Sequence, residues 1–168
     1  VARIVLLLRG VNVGGVTVRS ADLRALLGDA GLGEVRTVLA SGNAIVDARS
    51  VAAGVRTAEA ALEERYGRRI RVHGLTLAAL RTIVDAYPFA EDDAHTPYVV
   101  FPLEDGVLER IAETETDEDV AVAGGVLHWS NPKGHTIDSP IGVALARVGK
   151  DATTTRNLRT LRRIVDAG

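Results

Sequence analysis

The chain contains no cysteine and no methionine among its 168 residues. The absence of cysteine excludes disulfides, thiolate nucleophiles and cysteine-ligated zinc or iron–sulfur centres. Aromatic residues amount to 4% (one Trp, three Tyr, two Phe), so a core has to be assembled from Val, Leu, Ile and Ala. The histidines, His73, His95, His128 and His135, show no metal-ligand spacing, and no metal is expected. Apolar runs are short: Val5 to Leu8 falls far below the ~20 residues a membrane helix needs. A basic segment leading into an apolar one and an Ala-x-Ala cleavage site is missing too, so the expected location is the cytoplasm. Low-complexity linkers and Ser-His-Asp or paired-carboxylate patterns are not found either.

Charge is present but unevenly placed. The net charge of −2 averages an acidic stretch, Glu104 to Asp119, with eight acids against Arg110, and a basic tail, Val143 to Gly168, with six bases against Asp151 and Asp166. Segments of this kind read as solvated faces. The tail lacks interleaved aromatics for base stacking, which argues against nucleic acid as the partner.

Periodicity organises the rest. Ala2 to Arg9 reads as a buried strand, and Ser20 as the N-cap of a helix that stops at Gly28 to Gly31. Glu34 to Leu39 and Ala44 to Ala48 alternate as strands around the turn residues Ala40-Ser41-Gly42-Asn43. Val51 to Tyr66 is helical, and Arg69 to His73 a short strand. This β-α-β-β-α-β order is the split βαβ, or ferredoxin-like, arrangement. A helix from Thr76 to Tyr87 ends before Pro88, and a similar order begins again. Pro97 to Pro102 is a strand, Gly106 to Thr114 a helix, and Val120 to Ala123 and Val126 to Ser130 a hairpin through Gly124-Gly125. Ile141 to Val148 is a helix, and Thr155 is read as capping a terminal one. Residues 151–155 are too short to be read firmly as a closing strand. The expected architecture is α+β, with two ferredoxin-like subdomains whose antiparallel sheets are covered by helices, plus a C-terminal helix. The subdomains are residues 1–75 and 76–168, packed as one unit.

Two segments concentrate residues suited to anions. In Arg9-Gly10-Val11-Asn12-Val13-Gly14-Gly15 a strand feeds a loop in which glycines let backbone N–H groups converge beside one guanidinium. It lacks the Gly-Lys-Ser/Thr of a Walker A loop and the spacing of a dinucleotide loop. Its plainer reading is a tight connection with Arg9 paired to a carboxylate. Thr153-Thr154-Thr155-Arg156-Asn157, read as a helix start, offers free N–H groups, hydroxyls and a guanidinium. Simple capping by one threonine is the alternative. The split βαβ order, read with the third strand parallel to the first, sets Ser41-Gly42-Asn43 at the opposite edge from Arg9.

These residues also carry a resemblance. Leu7-Leu8-Arg9-Gly10-Val11-Asn12-Val13-Gly14-Gly15, Ser41-Gly42-Asn43, Tyr87-Pro88-Phe89 and Thr154-Thr155-Arg156-Asn157 with Thr160 resemble the bacterial domain-of-unknown-function 1697 family in order and spacing over essentially the whole chain. The chain departs from that pattern twice: Val38 and Leu39 stand where an aromatic precedes the hairpin serine, and Leu158 where a Trp follows Arg-Asn. The resemblance implies two ferredoxin-like halves and brings no reaction.

The reading that follows is a cytoplasmic protein binding a phosphate-bearing or other anionic small molecule in a cleft between its halves. Arg9, Asn12, Gly14 and Gly15 would form one wall, and Thr154, Thr155, Arg156 and Asn157 the other. A structural or protein-interaction module without such a site is the rival class, and RNA binding through the basic tail a third. No residue pattern assigns a reaction, a cofactor or an oligomeric state.

Overall fold

The computed structural model describes residues 1–11, 15–40 and 42–168. The chain divides into two units, Val1–Thr82 with Arg162–Gly168, and Ile83–Leu161.

The first unit is built on β1 (Ala2–Leu8), α1 (Ser20–Asp29), β2 (Gly33–Thr37), β3 (Asn43–Ala48), α2 (Val51–Tyr66) and β4 (Val72–Thr76). Its sheet has the order β2-β3-β1-β4, antiparallel throughout. As one of the two inner strands, β1 is buried on both faces, which is why it reads as a run of aliphatics rather than an alternation. Ile4, Leu6 and Leu8 join Leu23 and Leu27 of α1 and Ala58 and Leu62 of α2 in one core. At roughly 1.5–3 kcal/mol for each fully buried aliphatic side chain, this cluster is the main stabilising term of the unit. Helix α2 is capped by Ser50, whose hydroxyl accepts from Ala53 N–H, and it ends at Gly67 in the left-handed conformation. It buries Gly54, Ala58 and Leu62, and the missing side chains of Gly54 and Gly74 let it lie close on the sheet.

The second unit repeats the plan with β5 (His95–Pro102), α4 (Val107–Ala112), β6 (Asp119–Ala123), β7 (Val126–Pro132), α5 (Pro140–Arg147) and β8 (Thr153–Asn157). Its sheet order, β6-β7-β5-β8, reproduces the first position for position. Trp129, Leu127 and Val100 pack with Val107, Leu108 and Ile111 of α4 and Ile141 of α5. Two further helices complete the chain, α3 (Leu77–Asp85) and α6 (Leu158–Ala167). The fold class is therefore α+β, with two four-stranded antiparallel sheets and six helices among the described residues.

Several local expectations are corrected. Thr153–Asn157 is not a helix start: it is a strand paired along β5, with Phe101 opposite Thr154 and Val99 opposite Arg156. Alternating burial, not helical spacing, governs the segment, and α6 opens one residue beyond it, where Asn157 Oδ1 accepts from Arg159 N–H at 2.9 Å. The third strand runs antiparallel to the first, because a split βαβ unit places β1 between two antiparallel neighbours. Ser20 does not cap α1 from outside; its hydroxyl donates to the Leu39 carbonyl at 3.0 Å. The strand expected at Arg69 to His73 lies later, at Val72–Thr76, since Thr76 ends it and caps α3 by accepting from Ala79 N–H.

Candidate functional site

The C-terminal end of β1 gathers the geometrically constrained groups of the first unit. Leu8 N–H donates to the Gly42 carbonyl and Arg9 N–H to the Arg71 carbonyl, both at 2.9 Å. Beyond Arg9 the chain turns at Gly10 (φ +67°), and Val11 and Val16 form an isolated parallel bridge. Gly42 (φ +74°) presses against this turn. A side chain there would sit 2.5 Å from Val11 Cγ2 and 3.0 Å from Leu8 Cβ. Antiparallel pairing thus brings the Gly42 turn beside the Arg9 loop, reversing the separation expected from the sequence. Strand direction was the missing signal. Asn43 locks the turn from the other side: its carbonyl accepts from Val38 N–H, and its Nδ2 donates to the Val38 carbonyl.

Arg9 is half-buried, and its Nε is withdrawn from solvent with no hydrogen-bond partner. Among the described residues no carboxylate pairs with it. Glu59 accepts from Val72 N–H at 2.8 Å and lies 3.5 Å from Arg71 Nε. A buried N–H without an acceptor costs about 1–3 kcal/mol, so the group calls for an explanation.

The expected site residues fall as follows. Arg9 and Gly15 belong to the first unit, with Gly15 exposed at the far end of the loop. Asn12 and Gly14, like Val13 and Ser41, lie outside the described residues. Thr154, Thr155, Arg156 and Asn157 belong to the second unit, on β8. Arg156 is 7% exposed, and its Nη1 donates to Thr154 Oγ1 at 2.7 Å and to the Thr155 carbonyl at 3.0 Å. These bonds fix the guanidinium on its own strand, a role no helix start would give it.

A concavity of about 740 Å³ lies at the other end of β1, lined by Gly31, Asp47, Arg49 and Gly54 among others. It contains none of the unpartnered buried polar atoms. Among the described residues no cluster of acids and histidines could hold a metal, and no helix is long and apolar enough to cross a membrane.

In the second unit, Tyr87-Pro88-Phe89 serves architecture. The Tyr87 hydroxyl donates to the Trp129 carbonyl at 2.8 Å, and its ring meets Phe89 and His128 edge-on, each at 5.7 Å. Burial first of all pushes the Tyr87 hydroxyl up to about 12, so it stays protonated and keeps donating. Burial likewise holds the His128 imidazole below its ordinary value, with Nδ1 unpartnered. Neutral His128 is therefore favoured in the folded state, while the unfolded chain takes up a proton near pH ~6.5. Stability should fall as pH drops below about 6.5, and His128→Leu should flatten that part of a melting temperature–pH curve. An unchanged slope in the variant would remove His128 from the account.

Comparison with known proteins agrees with the architecture. A family model described as "Protein of unknown function (DUF1697)" matches residues 1–128. The solved structure of the conserved bacterial protein SP0830 from Streptococcus pneumoniae superimposes with a TM-score of 0.84 at 24% identity, covering 99% of this chain and 97% of that one. That likeness establishes a shared fold. No curated protein shows significant similarity to the chain.

Proposed function

The chain belongs to the DUF1697 family, and on that premise we propose that the loop after β1 binds a phosphate-bearing or other anionic small molecule, with Arg9 supplying the charge. The observation that carries this reading is the buried, unpartnered Nε of Arg9 beside a turn that only glycine permits. A guanidinium offers donors in a planar fork matched to phosphate or carboxylate oxygens. The backbone N–H groups around Gly10 and Gly15 would supply further donors, and Asn12 and Gly14 enter the proposal from the sequence. Arg156, with Thr154, Thr155 and Asn157 beside it on β8 of the second unit, is a separate candidate for an anion of its own. Its bonds to Thr154 and Thr155 make it the lesser candidate.

Calorimetric titration of inorganic phosphate, sugar phosphates and nucleotides tests the reading. Wild-type protein should bind at least one of them, and Arg9→Ala should weaken binding by about 10- to 100-fold, the worth of one charge-assisted contact. Arg9→Lys should recover only part of it, because an ammonium lacks the fork. Arg156→Ala should have the smaller effect. Equal affinity in wild type and Arg9→Ala would refute the assignment, as would no binding by wild type.

A further inference from the structure

Each sheet ends in two edge strands, and an edge with free N–H and C=O groups invites another strand unless something blocks it. On β2 the pairing is irregular between Gly33 and Arg36, Glu34 and Arg36 are charged, and the Glu34 carbonyl accepts from Arg3. Strands β4 and β8 are buried or half-buried along their lengths. The remaining edge, β6, is the most exposed of the four. It pairs with β7 in an unbroken register, and its run Val120 to Ala123 carries no charge and no proline. Asp119, Val122 and Ala123 are exposed. Among the described residues no backbone bond joins β6 to anything outside its sheet.

The hairpin fixes which backbone groups point outward. Its turn is the two residues Gly124 and Gly125, so Ala123 and Val126 form the closing pair, and in a two-residue hairpin that pair exchanges both of its hydrogen bonds. Alternation makes Ala121 another inward-bonded residue, and turns the N–H and C=O of Val120 and Val122 to the free edge.

We propose that the chain self-associates through β6, two copies pairing antiparallel about a two-fold axis at Ala121. The strand is its own complement in this register. Val120 of one copy bonds Val122 of the other, and the converse, giving roughly four backbone hydrogen bonds about a central Ala121–Ala121 pair. Both valine pairs are β-branched neighbours on a common face, and Asp119 meets Ala123, so no carboxylates oppose each other. The contact is isologous and closes on itself, merging two four-stranded sheets into one. Five residues a side make a small interface, so the dimer is weak, with Kd roughly 10⁻⁵–10⁻³ M.

Because the chain has no cysteine, Ala121→Cys places one thiol per copy on the two-fold axis. Non-hydrogen-bonded antiparallel pairs bring Cα atoms to about 4.5 Å, inside the range a disulfide spans. Ala123→Cys would hold its two thiols' Cα atoms roughly 14 Å apart. Under mild oxidation Ala121→Cys should form covalent dimers readily and Ala123→Cys should not. Sedimentation of the unmodified chain from micromolar to millimolar concentration should show reversible dimerisation. Val122→Pro, which removes an outward N–H and leaves the inner ladder intact, should abolish it with the melting curve retained. Cross-linking equal at both positions, or absent at Ala121→Cys, would overturn the proposal, and so would a Val122→Pro protein that still dimerises.

Discussion

Glu118→Ala should destabilise the Ile83–Leu161 unit by about 2–5 kcal/mol, because it orphans donors that are fully buried. The Glu118 carboxylate accepts from Trp129 Nε1 and Asn131 Nδ2, each at 3.0 Å, and from the Ile141 N–H at 2.9 Å. Trp129, Asn131 and Ile141 are each 0% exposed, so in the folded protein their donors rely on this carboxylate rather than on solvent. Asn131 keeps bonds to the His135 carbonyl and Ser139 Oγ, which leaves the indole and the first turn of α5 to bear most of the loss. Urea unfolding checks this directly, since Trp129 is the chain's one tryptophan and its emission reports the unit. Glu118→Gln should fall between wild type and Glu118→Ala, because one accepting oxygen becomes a donor. The pH dependence has a definite sign. Partial burial pushes the carboxyl up, but hydrogen bonds from Ile141, Trp129, Asn131 and Ser139 outweigh it and hold it below the ordinary value. The contribution is therefore present above the unfolded carboxylate value of about 4.3 and is lost as pH falls through the folded one. Glu118→Ala should lack that acid-labile component. A variant as stable as wild type would show that the carboxylate anchors nothing.

Gly42→Ala should cost about 2–5 kcal/mol in the first unit. Two effects add: a side chain at φ +74°, costing roughly 1–2 kcal/mol, and a methyl group driven into Val11 and Leu8, costing roughly 1–3 kcal/mol. Gly67→Ala separates them. Its φ of +68° imposes the same backbone penalty, yet nothing lies within 4 Å of the new methyl. Thermal or urea unfolding should rank Gly42→Ala well below Gly67→Ala. If the two variants unfold together, the close approach of the turn to the Arg9 loop contributes nothing.

Much of the fold was legible because its strongest signals are periodic. The apolar run of β1, the Val51-to-Tyr66 span of α2 and the Gly124-Gly125 hairpin each follow from local chemistry. Thr153–Asn157 was misread because three threonines and an asparagine suit a cap and an edge strand equally; burial against β5 decides, and one sequence does not display it. The site was legible as composition, not as arrangement. Glycines beside Arg9 announce a special loop, but the approach of Gly42 depends on strand direction, a property of the whole sheet. Glu118 was hidden in an acidic stretch read as solvated: one acid among eight turns toward buried donors, and nothing in its neighbours' identities marks it.

The division of the chain has a consequence for its synthesis. The first unit comprises Val1–Thr82 together with Arg162–Gly168, so the second unit is encoded inside it. Arg36 Nη1 donates to the Ala167 carbonyl, and Leu77 lies against Gly168. On the ribosome, the first sheet can pair as soon as β4 emerges, but its last segment arrives only after all of β5 to β8 has been made. Nascent chains halted before residue 162 should hold the first sheet in a looser, more protease-sensitive form than the finished protein does.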